Sequence, residues 1–168
     1  YEGRCKLNPG IIPECMALLV NNTTPKILKE TNLSHYQMIR QLTDKFKQWK
    51  NSIFIGYNSI NFDEEFLRRT LWKNLEYPYL TNTNGNERGD LFSLARACHL
   101  YYPNCIKTPI SDKNNPVFKL EKLAPINGIK HDDAHSAMGD VLATVEIAKL
   151  LSRKAPNVWK ASLMTTNK

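Results

Sequence analysis

Apolar positions recur every three or four residues over one long stretch: Tyr36, Ile39, Leu42, Phe46 and Trp49 follow Ser34, a residue suited to cap a helix. This predicts an amphipathic helix from Ser34 to Lys50. The next apolar run, Ser52-Ile53-Phe54-Ile55-Gly56-Tyr57, is short and continuous and reads as a buried strand. Helical spacing returns from Asn61 to about Glu76, with Phe62, Phe66, Leu67, Thr70 and Leu71 on one side. Asp90 caps a further helix to about Tyr101, a helical turn spans Lys119 to Ala124, and a last long helix runs from Ala134 to about Arg153, where Pro156 ends it. Tyr1 to Leu7 reads as a short strand, Pro9-Gly10 as a turn, and Pro13 breaks the apolar segment Ile11 to Val20. Polar connections fill the rest: Asn21 to Pro25, Tyr77 to Gly89, the long Pro103 to Pro116, and Pro125 to Asp133. Helices with an interleaved strand indicate an α/β or α+β layered fold, with two or three strands visible and no internal repeat.

At 168 residues, 42% apolar and 23% charged, the chain is expected to be one globular domain with a core of its own. No run approaches the roughly 18 apolar residues that cross a bilayer, and the start has no signal-peptide layout. The sequence begins at Tyr1 without an initiator methionine, which suggests a fragment or a processed piece. Cys5, Cys15, Cys98 and Cys105 form no C-x-x-C pair and have no histidine at finger-like spacing, so neither a zinc site nor a disulfide framework is indicated. Free buried thiols and a reducing, cytoplasmic setting are the expectation. Lys and Arg number 23 against 16 Asp and Glu, a formal +7 that suits a polyanionic partner.

Candidate chemistry concentrates in His131-Asp132-Asp133-Ala134-His135-Ser136-Ala137-Met138-Gly139-Asp140, which sets a histidine five residues before an aspartate at the head of a helix. Beyond Asp140, Ala143, Ile147 and Leu151 continue at helical spacing, while Met138, Val141, Leu142, Val145 and Ala148 form a second apolar side. A helix apolar on both sides is normally buried, so Asp140 is expected to point inward, where a carboxylate must be paired, hydrogen-bonded, protonated or bound to a metal. The competing reading is a solvated acid favoured by the helix dipole, with His135 in a capping or loop role. A second acid follows the strand in Gly56-Tyr57-Asn58-Ser59-Ile60-Asn61-Phe62-Asp63. Asp63 shares a face with Phe66, Leu67 and Thr70, whereas Glu64 and Glu65 are rotated by about 100° and 200°, so Asp63 is the acid expected to look inward. It too has a competing reading, an acid serving the start of its helix.

Together, G-Y-N-x-x-x-F-D at a strand end and H-x-A-x-x-D at the head of a late helix resemble the DEDDh exonucleases of the ribonuclease H-like superfamily. Asp90-Leu91, Arg96-Ala97-Cys98, Phe118-Lys119-Leu120-Glu121-Lys122-Leu123 and Asn127-Gly128-Ile129 extend the resemblance, over nearly the whole chain, to the bacterial exodeoxyribonuclease I family. The resemblance implies an α/β fold of the ribonuclease H-like exonuclease type, a central mixed sheet flanked by helices. It makes Asp63 and Asp140 two of four metal-holding acids and His135 the general base that deprotonates the attacking water. It places Asn58, Arg68 and Lys119 against single-stranded DNA. The family typically has arginine where this chain has Lys119; lysine keeps the charge but loses the bidentate fork, which weakens or disorients phosphate contact.

Phosphodiester hydrolysis of this kind uses two divalent ions about 3.5 to 4 Å apart, and oxygen ligands suit Mg²⁺ or Mn²⁺. A histidine titrating near 6.5 suits a base at neutral pH. The family's first motif, D-x-E on the first strand, has no suitable counterpart: the D-x-E in the sequence is Asp63-Glu64-Glu65, already in the second motif and on a helix. Two ions carry +4 and Asp63 with Asp140 supply −2. The expectation is therefore an exonuclease domain over residues 1–154 lacking its first strands, with 155–168 connecting toward an SH3-like domain. The complete protein would degrade single-stranded DNA from the 3' end to nucleoside 5'-monophosphates in repair and recombination, as a monomer, with single-stranded DNA-binding protein as a further partner; the fragment alone would be nearly inactive. Two alternatives stand beside it: a 3' exoribonuclease of the same superfamily, and a catalytically dead module that binds single-stranded nucleic acid.

Overall fold

The computed structural model describes residues 1–131 and 136–166. The described elements, in chain order, are α1 (Cys15–Val20), α2 (Pro25–Glu30), α3 (His35–Gln48), β1 (Ile53–Gly56), α4 (Asp63–Lys73), β2 (Glu87–Asp90), α5 (Leu91–Tyr101), α6 (Leu120–Ile126), α7 (Ala137–Lys154) and α8 (Pro156–Leu163). Strong local signals account for the helix starts. Ser34 and Gln37 form a reciprocal capping box on α3, Ser136 accepts from the Gly139 amide on α7, and Asp90 accepts from the Phe92 amide on α5. α6 closes on Gly128 at φ +74°, with Ile129 N–H returning to the Ala124 carbonyl, so a residue free to adopt the left-handed region ends that helix.

β1 and β2 pair in parallel, Ile53 opposite Glu87 through Gly56 opposite Asp90. Three expectations change here. Residues 1–7 carry no strand. Glu87-Arg88-Gly89-Asp90, read as part of a polar loop, is a strand: it has no apolar alternation, and its partner lies more than thirty positions away, so pairing rather than local preference makes it extended. And β1 is not buried, since Ile53 and Ile55 each remain 37% exposed in a sheet of two strands among the described residues. Two prolines start helices instead of merely interrupting the chain: Pro25 sits in the first turn of α2 behind the Thr24 cap, and Pro156 in the first turn of α8.

The main core gathers Leu91, Leu94, Ala95 and Cys98 of α5 with Leu123 of α6 and Ile147 and Leu151 of α7, and Val158 and Trp159 of α8 pack against it. A smaller cluster joins Ile39 of α3 to Leu71 and Leu80, with Leu67 beside it. Cys98 and Cys105 are buried free thiols as expected, and burial, with Cys105 close by, pushes Cys98 up to about 12; Cys15, by contrast, is exposed. No helix among the described residues is long and apolar enough to cross a membrane.

Side-chain clamps hold the long polar connections. Asn127 accepts from the Lys107 amide at 2.9 Å and donates to the Lys107 carbonyl at 2.8 Å, fixing the segment after α5 to the end of α6. Asn86 does the same for the start of β1, accepting from the Ser52 amide at 3.1 Å while donating to the Leu80 carbonyl at 2.9 Å.

Candidate active site

The strand-to-helix turn after β1 is held from the neighbouring strand. Asp90, the last residue of β2, accepts from the Phe92 amide at 2.9 Å, from the Asn58 amide at 2.8 Å and from the Ile60 amide at 3.3 Å. Asn58 sits at φ +58°, a conformation asparagine tolerates better than most residues, and the chain then enters α4 with Asp63 in its first turn. Tyr57 donates to the Phe118 carbonyl, joining this turn to the residues before α6. Burial, with Asp90 nearby, drives the Tyr57 phenol well above its ordinary range, so it stays a donor at any working pH.

A cavity of about 870 Å³ opens beside this turn. Asn58, Asp63, Lys119 and Asp140 all line it, together with Tyr57, Glu64, Phe118 and His131. Arg68 does not: it faces a separate cavity, bonded to Glu65 and lying over the Tyr79 ring at 5.8 Å. His135 lies outside the described residues.

Exposure differs from the helical-wheel expectations. Asp63 is an exposed residue on the rim of the cavity, and Phe66 turns outward against Phe62; the buried residue of α4 is Leu71. Glu64, expected to face away, lines the cavity and accepts from Thr81 at 2.8 Å, with Arg88 at 3.5 Å. On α7 the Ala143, Ile147 and Leu151 side is buried, while Val141, Leu142 and Val145 are exposed, so the helix covers the core with one face only. The Asp140 side chain is accordingly 45% exposed rather than enclosed.

Asp140 nonetheless has a dedicated partner that sequence spacing did not reveal. His131 Nε2 lies 2.7 Å from Asp140 Oδ1, with the histidine side chain 2% exposed. A carboxylate only accepts, so the imidazole donates from Nε2; His131 Nδ1 has no partner among the described residues. The pair engages one carboxylate oxygen of Asp140, Oδ1, and both residues line the cavity. Asp63 is treated differently: protein around its carboxyl raises it above the ordinary aspartate value, although its own backbone amide pulls the other way, and the negative charges of Glu64, Asp90 and Asp140 raise it further.

A divalent cation beside Asp63 would offset the repulsion from these acids, and carboxylate oxygens are the right donor type for Mg²⁺ or Mn²⁺. Their number falls short. No group of three or more His, Cys, Asp or Glu among the described residues is arranged to hold an ion by itself.

A family model described as Exonuclease matches residues 20–148, most of the chain. The chain belongs to the exonuclease family. Within this family, exodeoxyribonuclease I of Haemophilus influenzae is 38% identical over 157 residues, covering 93% of this chain and 33% of that protein. Exodeoxyribonuclease I of Escherichia coli is 33% identical over 165 residues, covering 98% of this chain and 34% of that protein. Among solved structures, E. coli exonuclease I in complex with a dA16 oligonucleotide superposes with a TM-score of 0.86 at 31% identity, over 94% of this chain and 33% of that one. A complex of exonuclease I with SSB-Ct gives 0.84 at 30% identity, over 94% of this chain and 34% of that one. The fold is therefore the α/β, ribonuclease H-like exonuclease fold. The chain spans about a third of the length of these curated relatives.

Proposed function

We propose that the protein carrying this exonuclease domain removes nucleotides one at a time from the 3' end of single-stranded DNA, releasing nucleoside 5'-monophosphates, and serves DNA repair and recombination. The observation that carries this reading is the convergence of Asp63 and Asp140 on one cavity, where Asp63 has no basic partner among the described residues. The relatives support the choice of substrate, since exonuclease I of E. coli has been captured with dA16 and dT13 oligonucleotides.

Asp63 and Asp140 would hold divalent ions, Mg²⁺ or Mn²⁺, which when bound supply water activation and stabilise the leaving 3' oxygen. His131, bonded to one oxygen of Asp140, would orient that carboxylate as a ligand. Asn58 and Lys119 lie on the same cavity wall, where an amide and an ammonium can orient the terminal nucleotide and its phosphate. His135, five residues before Asp140, takes the proton from the attacking water. Two carboxylates give −2 against the +4 of two ions, so the 168 residues alone are expected to cleave slowly and to gain rate when a segment bearing a D-x-E strand is supplied.

The test uses single-stranded oligonucleotides labelled at either end, incubated with Mg²⁺ or chelator. Stepwise shortening from the 3' end, dependence on the ion and mononucleotide 5'-phosphates as products are expected. Fast cleavage by the 168 residues alone overturns the shortage of acids, and a preference for RNA oligonucleotides in competition overturns the DNA assignment. Binding without cleavage, even with the D-x-E segment supplied, makes the domain a binding module.

A further inference from the structure

The chain contains Asn-Gly twice, at Asn84-Gly85 and at Asn127-Gly128, and the fold treats the two pairs in opposite ways. Both stand where the chain turns, with Gly85 at φ +81° and Gly128 at φ +74°. At Asn127 the reactive groups are all engaged. Its carboxamide accepts from the Lys107 amide at 2.9 Å and donates to the Lys107 and Leu123 carbonyls, each at 2.8 Å, and the Gly128 amide donates to the Pro125 carbonyl at 2.9 Å. Asn84 is exposed, in a turn closed by the Asn86 amide on the Thr83 carbonyl at 3.0 Å. Neither its carboxamide nor the Gly85 amide has a hydrogen-bond partner among the described residues.

We infer that Asn84 is a self-modifying position, at which the Gly85 main-chain nitrogen attacks the Asn84 carboxamide and water completes the conversion to an aspartyl or isoaspartyl residue. The Gly85 nitrogen gives up its proton and bonds to Asn84 Cγ, the Cγ–Nδ2 bond breaks, and ammonia leaves with that proton. Water then adds to either carbonyl of the resulting succinimide and breaks its bond to the ring nitrogen, which takes back a proton. Nothing is oxidised or reduced. Glycine obstructs the attack least because it brings no Cβ, and at Asn84 no hydrogen bond has to open first. Asn127 must lose its bonds before it can react, and each one lost lowers the ready population by a few-fold to about tenfold. The inference goes beyond the reading of the acids and does not depend on it. Its product alters the approach to β2. A carboxylate at position 84 lowers the formal charge of +7 by one. The isoaspartyl form also adds a main-chain atom inside the turn that Asn86 closes, and Asn86 holds the Ser52 amide at the entrance to the β1–β2 pair.

The experiment ages the 168-residue chain in warm, mildly alkaline buffer, with and without denaturant, and follows both asparagines by peptide mass and by isoaspartyl content. In the folded chain position 84 is expected to gain about 1 Da at least about tenfold faster than position 127, with isoaspartyl product present. In denaturant the two positions should convert at similar rates, because the bonds that protect Asn127 are gone. This comparison lies within the unsubstituted chain, so it stands whether or not a variant folds. Equal rates in the folded chain overturn the inference. So does a difference that persists in denaturant, which would place the cause in local sequence, or product at position 84 without any isoaspartyl form, which would exclude the succinimide. Asn84→Gln, which closes a ring less readily, should keep its charge over the same period. Asn84→Asp carries the new charge without the added main-chain atom, so chain rich in isoaspartyl product is expected to melt about 2–4 °C below it. Equal melting overturns the effect on the β1–β2 pair.

Discussion

Two carboxylates at opposite ends of α4 have opposite surroundings. Glu76, just past the helix, is 8% exposed and receives Arg40 and Lys47 from α3, the latter at 3.3 Å. Burial works to raise it, but the hydrogen bonds and charges of Arg40 and Lys47 prevail and hold it below the usual glutamate range. Asp63, in the first turn, is exposed to the cavity and yet held above its usual range by burial of the carboxyl and by three other acids. The first arrangement joins two helices. The second leaves the Asp63 carboxyl without a basic partner among the described residues, as the proposed ion-holding role requires.

Substitutions that separate chemistry from folding sharpen this contrast. Asp63→Asn and Asp140→Asn are each expected to lower turnover by at least about 100-fold in the complete protein, the cost of losing several kcal/mol of charge stabilisation, with the rate measured on labelled single strands. The same Asp63→Asn variant should melt no lower than the parent and slightly higher, since it removes repulsion; a clear fall in melting midpoint would make Asp63 a structural acid and break the comparison. His131→Gln is expected to lower ion affinity or turnover about 10- to 100-fold, through loss of the bond that aims Asp140; unchanged ion binding and turnover would show that Asp140 needs no support.

At the other end of the helix the effects belong to stability. Glu76→Gln should lower the melting midpoint by about 2–4 °C, the shift that about 1 kcal/mol produces in a chain of this size, and leave the rate of the folded protein unchanged. Acid should act through the same group. A carboxyl whose folded value is depressed contributes stability above its unfolded value, near 4.5 for glutamate, and loses it as pH falls through the folded value. The parent should therefore lose melting temperature below about pH 4.5 more steeply than Glu76→Gln. Parallel curves would remove Glu76 from the account of the junction.

How legible each region was depended on whether its signal was local. α3, with Ser34 and Gln37 at its start, and α5, with Asp90 at its start, could be read directly because caps and apolar spacing lie within one helix. β2 could not: Glu87-Arg88-Gly89-Asp90 becomes a strand only beside β1, and no residue in it announces that partner. The acids of the cavity were found by motif, whereas the pairing of His131 with Asp140 and the bonds from Asp90 to the β1 turn depend on chain approach across 9 and 30–32 positions respectively. Helical-wheel reasoning also overestimated burial on α4 and α7, because an apolar stripe states which side can be covered and not what covers it. Phe66, Val141 and Leu142 remain exposed for that reason among the described residues.

Asp90 links more than its geometry first suggests. One side chain closes the start of α5 and also fixes the amides of Asn58 and Ile60, so the helix of the main core and the approach to Asp63 share a single fastening. Changes on either side of it are therefore coupled: a substitution that relaxes α5 near Phe92 and one that reshapes the Asn58 turn should combine non-additively. Changes to the Asn58 turn will be constrained by the tolerance of the core, and a library that varies both segments together will reach variants that sequential single changes cannot.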